Sequence, residues 1–196
     1  IMMAAKQNFV AGAWVDGAGV TQDINPSDIS DVVGEFTQAS KAQTDEAIAA
    51  AKAASFAWGL STPQQRCDAL EMIGTELLAR KDEIGRILSR ENGKPLSNGV
   101  GETIRAAQIF KFFAQEALRI EGTQLPSVRP NGDVTITREL LGVVGLICPW
   151  NFPIAIQDLK IATAFASRTC LVFEPPYRVP STTCSLSLVL PLIVLP

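Results

Sequence analysis

Residues 142–166 read GVVGLICPWNFPIAIQDLKIATAFA, and no other stretch constrains the fold as strongly. The continuous apolar run through Ile147 is the pattern of a strand buried on both faces of a parallel sheet. It ends abruptly at Pro149-Trp150-Asn151-Phe152-Pro153. Two prolines fix φ there, and neither a strand ladder nor a helix can run through them. Past Pro153 a helix is expected to about Ala166, and CLVF, from Cys170, reads as another short buried strand. Strand, crossover helix and strand form a βαβ unit, so the fold class is α/β with the opening of a parallel sheet.

The preceding residues are mostly helical. NFVAGAWV reads as a strand, DGAG as a glycine turn, and Asp31 to Thr37 as a second strand. TDEAIAAAKAASFAW predicts a helix capped by Thr44, with Ile48, Ala51 and Phe56 inward. STPQQRCDALEMIGTELLARK carries the strongest start signal: Ser61 or Thr62 as cap, Pro63 in the first turn, and Gln64 or Gln65 closing a capping box. Leu70, Ile73, Leu77 and Leu78 form its stripe. KDEIGRILSREN is a further helix stopped by Asn92-Gly93 and Pro95. A long helix is expected from about Val100 to Glu121, with Ile104, Ala107, Phe110, Ala114 and Leu118 on its inner face and Gly122 at its exit. LPSVRPNGD reads as a loop with a turn at Asn131-Gly132, and VTITREL as a half-exposed strand.

Composition removes whole classes of chemistry. There is no histidine. That excludes Ser-His-Asp and Cys-His catalysis and histidine-containing metal sites, and leaves Glu, Asp, Lys, Cys or a bound coenzyme to do any chemistry. Cys67, Cys148, Cys170 and Cys184 match no zinc or redox spacing and read as packed thiols. A net charge of −3 with no basic stripe argues against a nucleic-acid partner. The start of the chain, Ile1 onward, shows no secretory signal. The apolar end from Leu186 is about half of what spans a bilayer and is interrupted by Pro191, so no membrane partner and a cytoplasmic location are expected.

The familiar nucleotide motifs are missing. Gly142 and Gly145 lack the dinucleotide-fingerprint spacing, and Lys94 in ENGKP, at a helix end, reads as solvated. The PWNFP turn has two readings. In one it is a rigid corner, with Trp150 packed and Asn151 capping the next helix. In the other it lies at the carboxyl end of a parallel strand, where open α/β sheets bind ligands, and the Asn151 amide donates to an oxyanion.

GVVGLICPWNFPIAI closely resembles the NAD(P)-dependent aldehyde dehydrogenase family. The resemblance extends through NFVAGAWV, INPSD, AAAKAASFAW, RENGKPL and FFAQEALRIEG. The middle of the chain is most similar to the branch that oxidises semialdehydes such as α-ketoglutaric semialdehyde. The resemblance implies an N-terminal helical array followed by the first part of a Rossmann-like sheet. On that basis residues 1–133 are the helical part of the coenzyme domain, 134–141 an oligomerisation-type strand, 142–180 the start of the sheet and 181–196 a divergent apolar tail.

It also implies a mechanism free of histidine. A cysteine thiolate attacks the aldehyde, hydride passes to NAD or NADP, and a glutamate activates the water that hydrolyses the thioester. Asn151 would hold the oxyanion, and the backbone at Ile147, Cys148, Pro149 and Trp150 would line the coenzyme. Lys160 matches the family's lysine near the active site; as plain sequence it reads equally as a surface lysine. The segments bearing the nucleophile and the base are not matched anywhere in these residues. A truncated portion, inactive alone, is therefore expected, with a non-catalytic protein pairing with full-length homologues as the alternative. Glu174 stands where the family has a ribose-contacting lysine, which tolerates NAD and repels a 2′-phosphate. The resemblance fades beyond Val179-Pro180, and STTCSLSLVLPLIVLP is read as the product of a shifted or ended reading frame that exposes apolar surface. With a short sheet, and VTITREL lacking a partner strand, a marginal and self-associating fold is expected.

Overall fold

The computed structural model describes residues 5–176 and 178–187. The apolar stretch 188–196 lies outside the described residues.

The chain opens with β1 (Asn8–Val10) and β2 (Ala13–Val15), paired antiparallel. The turn falls inside the run expected to be one strand. Ala11 and Gly12 both adopt positive φ, 51° and 81°, as a two-residue hairpin with a right-handed twist requires. β3 (Gly19–Ile24) and β4 (Val32–Gln38) form a second antiparallel pair.

Helix α1 (Lys41–Gly59) starts earlier than predicted. Ser40, not Thr44, is its cap, and Ser40 and Gln43 complete a reciprocal capping box. The apolar face assigned to it is also corrected. Phe56 is 76% exposed and Ile48 is exposed, while Trp58 at the helix end is the large side chain that enters the core. In α2 (Pro63–Ala79) the cap resolves to Thr62 with Gln65. Leu70, Ile73 and Leu77 are buried as predicted; Leu78 sits on the flank and is exposed. Thr62→Ala should destabilise the fold by about 1 kcal/mol, read as a lower urea midpoint with unchanged slope.

Helix α3 (Lys81–Asn92) stops at Gly93, which adopts φ 75°. Pro95 immediately precedes α4 (Leu96–Ala117), so this helix begins and ends earlier than its apolar pattern suggested. Ala107, Phe110 and Ala114 face inward as expected, whereas Leu118 lies past the last turn and is exposed. Helices α3 and α4 cross at a pair of glycines. A Cβ on Gly99 would stand 2.4 Å from the Gly85 carbonyl oxygen, and one on Gly85 would meet Val100 at 2.7 Å.

β5 (Thr123–Pro126) pairs antiparallel with β6 (Asp133–Ile136). This corrects one expectation, because part of the predicted loop is a strand, paired with one edge of β6. All eight positions are exposed, so β6 is not the half-buried strand that its alternation suggested.

β7 (Val143–Ile147) and β8 (Cys170–Glu174) are parallel neighbours joined through α5 (Ala155–Ala166), the predicted βαβ unit. β7 is not buried on both faces. Val143 and Leu146 pack on the core, but Ile147 is 74% exposed, because among the described residues this sheet has two strands and no outer layer.

The core lies where α2, α3, α4 and α5 meet, around Leu70, Ile73, Leu77, Ile84, Leu88, Phe110 and Ile161. Buried Arg66 ties α2 to the end of α5 by donating from Nε to the Ala166 carbonyl at 3.0 Å. Helix α6 (Pro180–Ser187) closes the described chain. Its first residues, in the segment expected to expose apolar surface, are Ser181, Thr182 and Thr183, and all three are buried. The Glu91 carboxylate accepts from the Ser181 and Thr182 amides and from the Thr182 hydroxyl. The Ser181 hydroxyl donates to Asp23 at 2.6 Å.

Candidate functional site

The carboxyl ends of β7 and β8 lie side by side. Ile147 and Glu174 are register partners, so the two strands deliver them to the same rim. From that rim the chain enters the PWNFP turn. Cys148 is buried beneath it, Trp150 and Phe152 are both about half exposed, and Asn151 is exposed. Among the described residues the Asn151 amide has no hydrogen-bond partner, so it is available to a ligand.

The helix-capping alternative for Asn151 is overturned. The residue before α5 is Ile154, with no side-chain cap of its own. The helix end is satisfied from another element: Glu102 Oε1, on α4, accepts from the Ile154 and Ala155 amides at 3.1 and 3.3 Å. A carboxylate at this position also complements the helix dipole.

Lys160 is neither a surface lysine nor fully buried. Its Nζ donates to the Ile147 carbonyl at 2.7 Å, placing a positive charge at the strand end that carries the turn. Burial pushes the Cys148 thiol up, and the neighbouring Lys160 offsets this only in part. Burial and the raised thiol both suit a packed cysteine at Cys148. Cys67 and Cys170 are also buried and raised by burial, and Cys184 is partly buried.

Lys94 corrects the sequence expectation most sharply. Instead of being solvated, it is largely buried, with Nζ 2.5 Å from Glu102 Oε2 and 5.3 Å from the centre of the Phe152 ring. Nearby, Asn92 Nδ2 donates to the Trp150 carbonyl at 3.1 Å.

Asp158, in the first turn of α5, is fully buried, and neither carboxyl oxygen has a partner among the described residues. Burial first, and the charge of Glu102 second, push it well above the usual carboxylate range, which favours the neutral acid. Composition did not single out Glu102 or Asp158. A sign of Glu102 was present: it falls on the same helical stripe as buried Gly99, Thr103, Ala106 and Phe110, where a charge requires a partner. Among the described residues no cluster of side chains could hold a metal ion.

The aldehyde dehydrogenase family model matches residues 14–196. The chain belongs to the aldehyde dehydrogenase family. The match runs past residue 180, where the sequence resemblance had faded. This family member is 32% identical over 183 residues to the glutarate-semialdehyde dehydrogenase of Pseudomonas aeruginosa, covering 93% of this chain and 38% of that one. It is 34% identical over 180 residues to the alpha-ketoglutaric semialdehyde dehydrogenase of Bacillus subtilis, covering 91% and 37%. Among solved structures, the NADP-dependent glyceraldehyde-3-phosphate dehydrogenase of Bacillus halodurans, complexed with NADP, superposes with a TM-score of 0.92 at 28% identity. That superposition covers 98% of this chain and 42% of the other. This aldehyde dehydrogenase chain therefore spans about two fifths of the length of the relatives it matches. No helix among the described residues is long and apolar enough to cross a membrane.

Proposed function

We propose that these residues are the oxyanion and coenzyme-rim portion of an enzyme that oxidises a semialdehyde to a carboxylate with NAD or NADP. The observation that carries the reading is the shared rim. Parallel strands bring Ile147 and Glu174 together, and the turn that follows presents Asn151 with an unpartnered amide.

In this reading Asn151 donates to the oxygen of the aldehyde as negative charge develops on it, an interaction typically worth about 10²–10³ in rate. Lys160 holds the Ile147 carbonyl and so fixes where the turn leaves the strand. The backbone from Ile147 to Trp150 would line the coenzyme, and the Glu174 carboxylate, exposed at the end of β8, would accept from its ribose hydroxyls. The bound nicotinamide supplies the hydride acceptor. None of the four cysteines has the activated setting of a nucleophile, so these residues alone are inactive in this account.

Calorimetry of NAD and NADP with the wild-type chain and Glu174→Lys tests the reading. Wild type should bind NAD weakly, at roughly millimolar Kd, and NADP more weakly still, because the carboxylate repels a 2′-phosphate. Glu174→Lys should raise NADP affinity several-fold and change NAD binding less. Equal affinities in wild type, unmoved by the substitution, would contradict it.

One observation favours a second role. The β5–β6 hairpin leaves Leu125, Val134 and Ile136 about half exposed, a surface suited to strand or face pairing with a full-length homologue. Co-purification with such a subunit, lost on deleting the hairpin, would support it; failure to associate would count against it.

A further inference from the structure

We propose that Glu102 is the positioning residue of the Asn151 turn, acting from α4 across the core. The proposal deepens the oxyanion role given to Asn151 and rests on that reading for its catalytic meaning, although its geometry stands without it.

The turn has little internal means of holding its shape. Pro149 and Pro153 fix two φ angles, but α5 begins without a side-chain cap from its own approach, and the Asn151 amide has no partner. The hold comes from outside, through two neighbouring segments. Glu102 is 7% exposed and uses both carboxylate oxygens. Oε1 receives the Ile154 and Ala155 amides, and Oε2 receives Lys94. Lys94 in turn lies against the Phe152 ring. Asn92, two residues before Lys94, holds the Trp150 carbonyl. The backbone is thus gripped on both sides of Asn151, at Trp150 and at Ile154-Ala155, and the one intervening aromatic rests on the lysine that Glu102 binds.

Glu102 faces Lys94 and a helix N-terminus, whereas Asp158 nearby has no partner among the described residues. Burial favours the neutral acid at Asp158. Two ionised carboxylates behind the same helix end would repel each other and loosen the grip.

Backbone hydrogen exchange and NMR of the 196-residue chain test this without any turnover. Glu102→Ala should accelerate exchange at Ile154 and Ala155 by about tenfold. It should also shift the Asn151 side-chain amide and Trp150 indole resonances, leaving core amides at Leu77 and Leu88 within about twofold of wild type. Glu102→Gln keeps an acceptor for the two amides and should restore most of their protection. Should Glu102→Ala fail to fold, Asn92→Ala, at a half-buried side chain, decides. It must shift the Trp150 and Asn151 resonances with the core amides unmoved, or the proposal fails. Unchanged exchange at Ile154 and Ala155, or equal acceleration across the core, would overturn it. These readouts are independent of coenzyme affinity, so a failure of the enzymatic reading would leave them standing.

Discussion

Gly99→Ala should lower stability by about 3 kcal/mol and disturb the PWNFP turn with it. Alanine gains about 1 kcal/mol of helix propensity over glycine, so the sign depends on the space available. At Gly99 there is none, because the new Cβ would stand 2.4 Å from the Gly85 carbonyl oxygen. That atom belongs to backbone and cannot rotate away. Helix α4 must then move off α3, and both sides of the grip on the turn move with it: Glu102 lies on α4, while Asn92 and Lys94 lie at the end of α3 and just beyond. Gly101, in the same helix, is the control. A Cβ there meets nothing within 4 Å, so Gly101→Ala should stabilise by up to about 1 kcal/mol. Urea midpoints of the two variants against wild type check the pair. Equal effects would mean that the α3–α4 crossing is not the constraint described.

The second large effect is on pH dependence. Glu91 and Asp23 are two buried carboxyls that both accept hydrogen bonds from Ser181 and are seated under α6. Burial first, then the charge of Asp23, pushes Glu91 up to about 8, and burial raises Asp23. Groups facing the pair soften this without reversing it: Ser181 and Thr182 as donors, and Lys6 and Arg90 as cations beside Asp23. A raised folded-state value means that the native chain holds its proton more tightly than the unfolded one. The stabilisation is therefore complete below about pH 4.5, falls as pH rises, and is gone above about pH 8. Asp158 adds the same sign. Asp31 and Glu83 are lowered by Arg90 and Arg80, so they have the opposite sign, but they are surface groups that titrate at more acidic pH. Stability should consequently drop by about 2–4 kcal/mol between about pH 5 and pH 9. Glu91→Gln should flatten roughly half of that slope. A urea midpoint that holds steady or rises across this range would contradict the account.

What was legible in the sequence was what short-range chemistry controls. Thr62-Pro63 and Gln65 announced α2, Gly93 announced the end of α3, and the PWNFP corner announced the βαβ unit, because caps, glycines and prolines act locally. One misreading was local, at the start of α1; the others concern what the rest of the chain covers or leaves bare. Ser40 outcompeted Thr44 because Gln43 completes its box. The α1 face was assigned by spacing, yet spacing cannot say whether another element covers it, and Phe56 is left exposed. The apolar run of β7 suggested burial on both faces, but among the described residues β7 has one neighbouring strand and nothing covers Ile147.

The site divides in the same way. Asn151 and the turn stood out in the sequence; what holds them did not. Glu102 lies 52 positions from the helix end that it caps, and Asn92 lies 58 positions from the carbonyl that it binds. Only folding brings them together. Lys94 was read as solvated because ENGKP resembles an ordinary helix end, and nothing local revealed that Glu102 would bury its charge.

In the proposed function these residues supply the oxyanion turn and coenzyme rim, and none of them serves as nucleophile or base. The direct measurement is reduction of NAD and NADP by the purified 196-residue chain over a series of semialdehydes. The account predicts no aldehyde-dependent reduction above the enzyme-free rate. Turnover that Asn151→Ala abolishes would contradict it, by showing that a cysteine and a base within these residues complete the reaction.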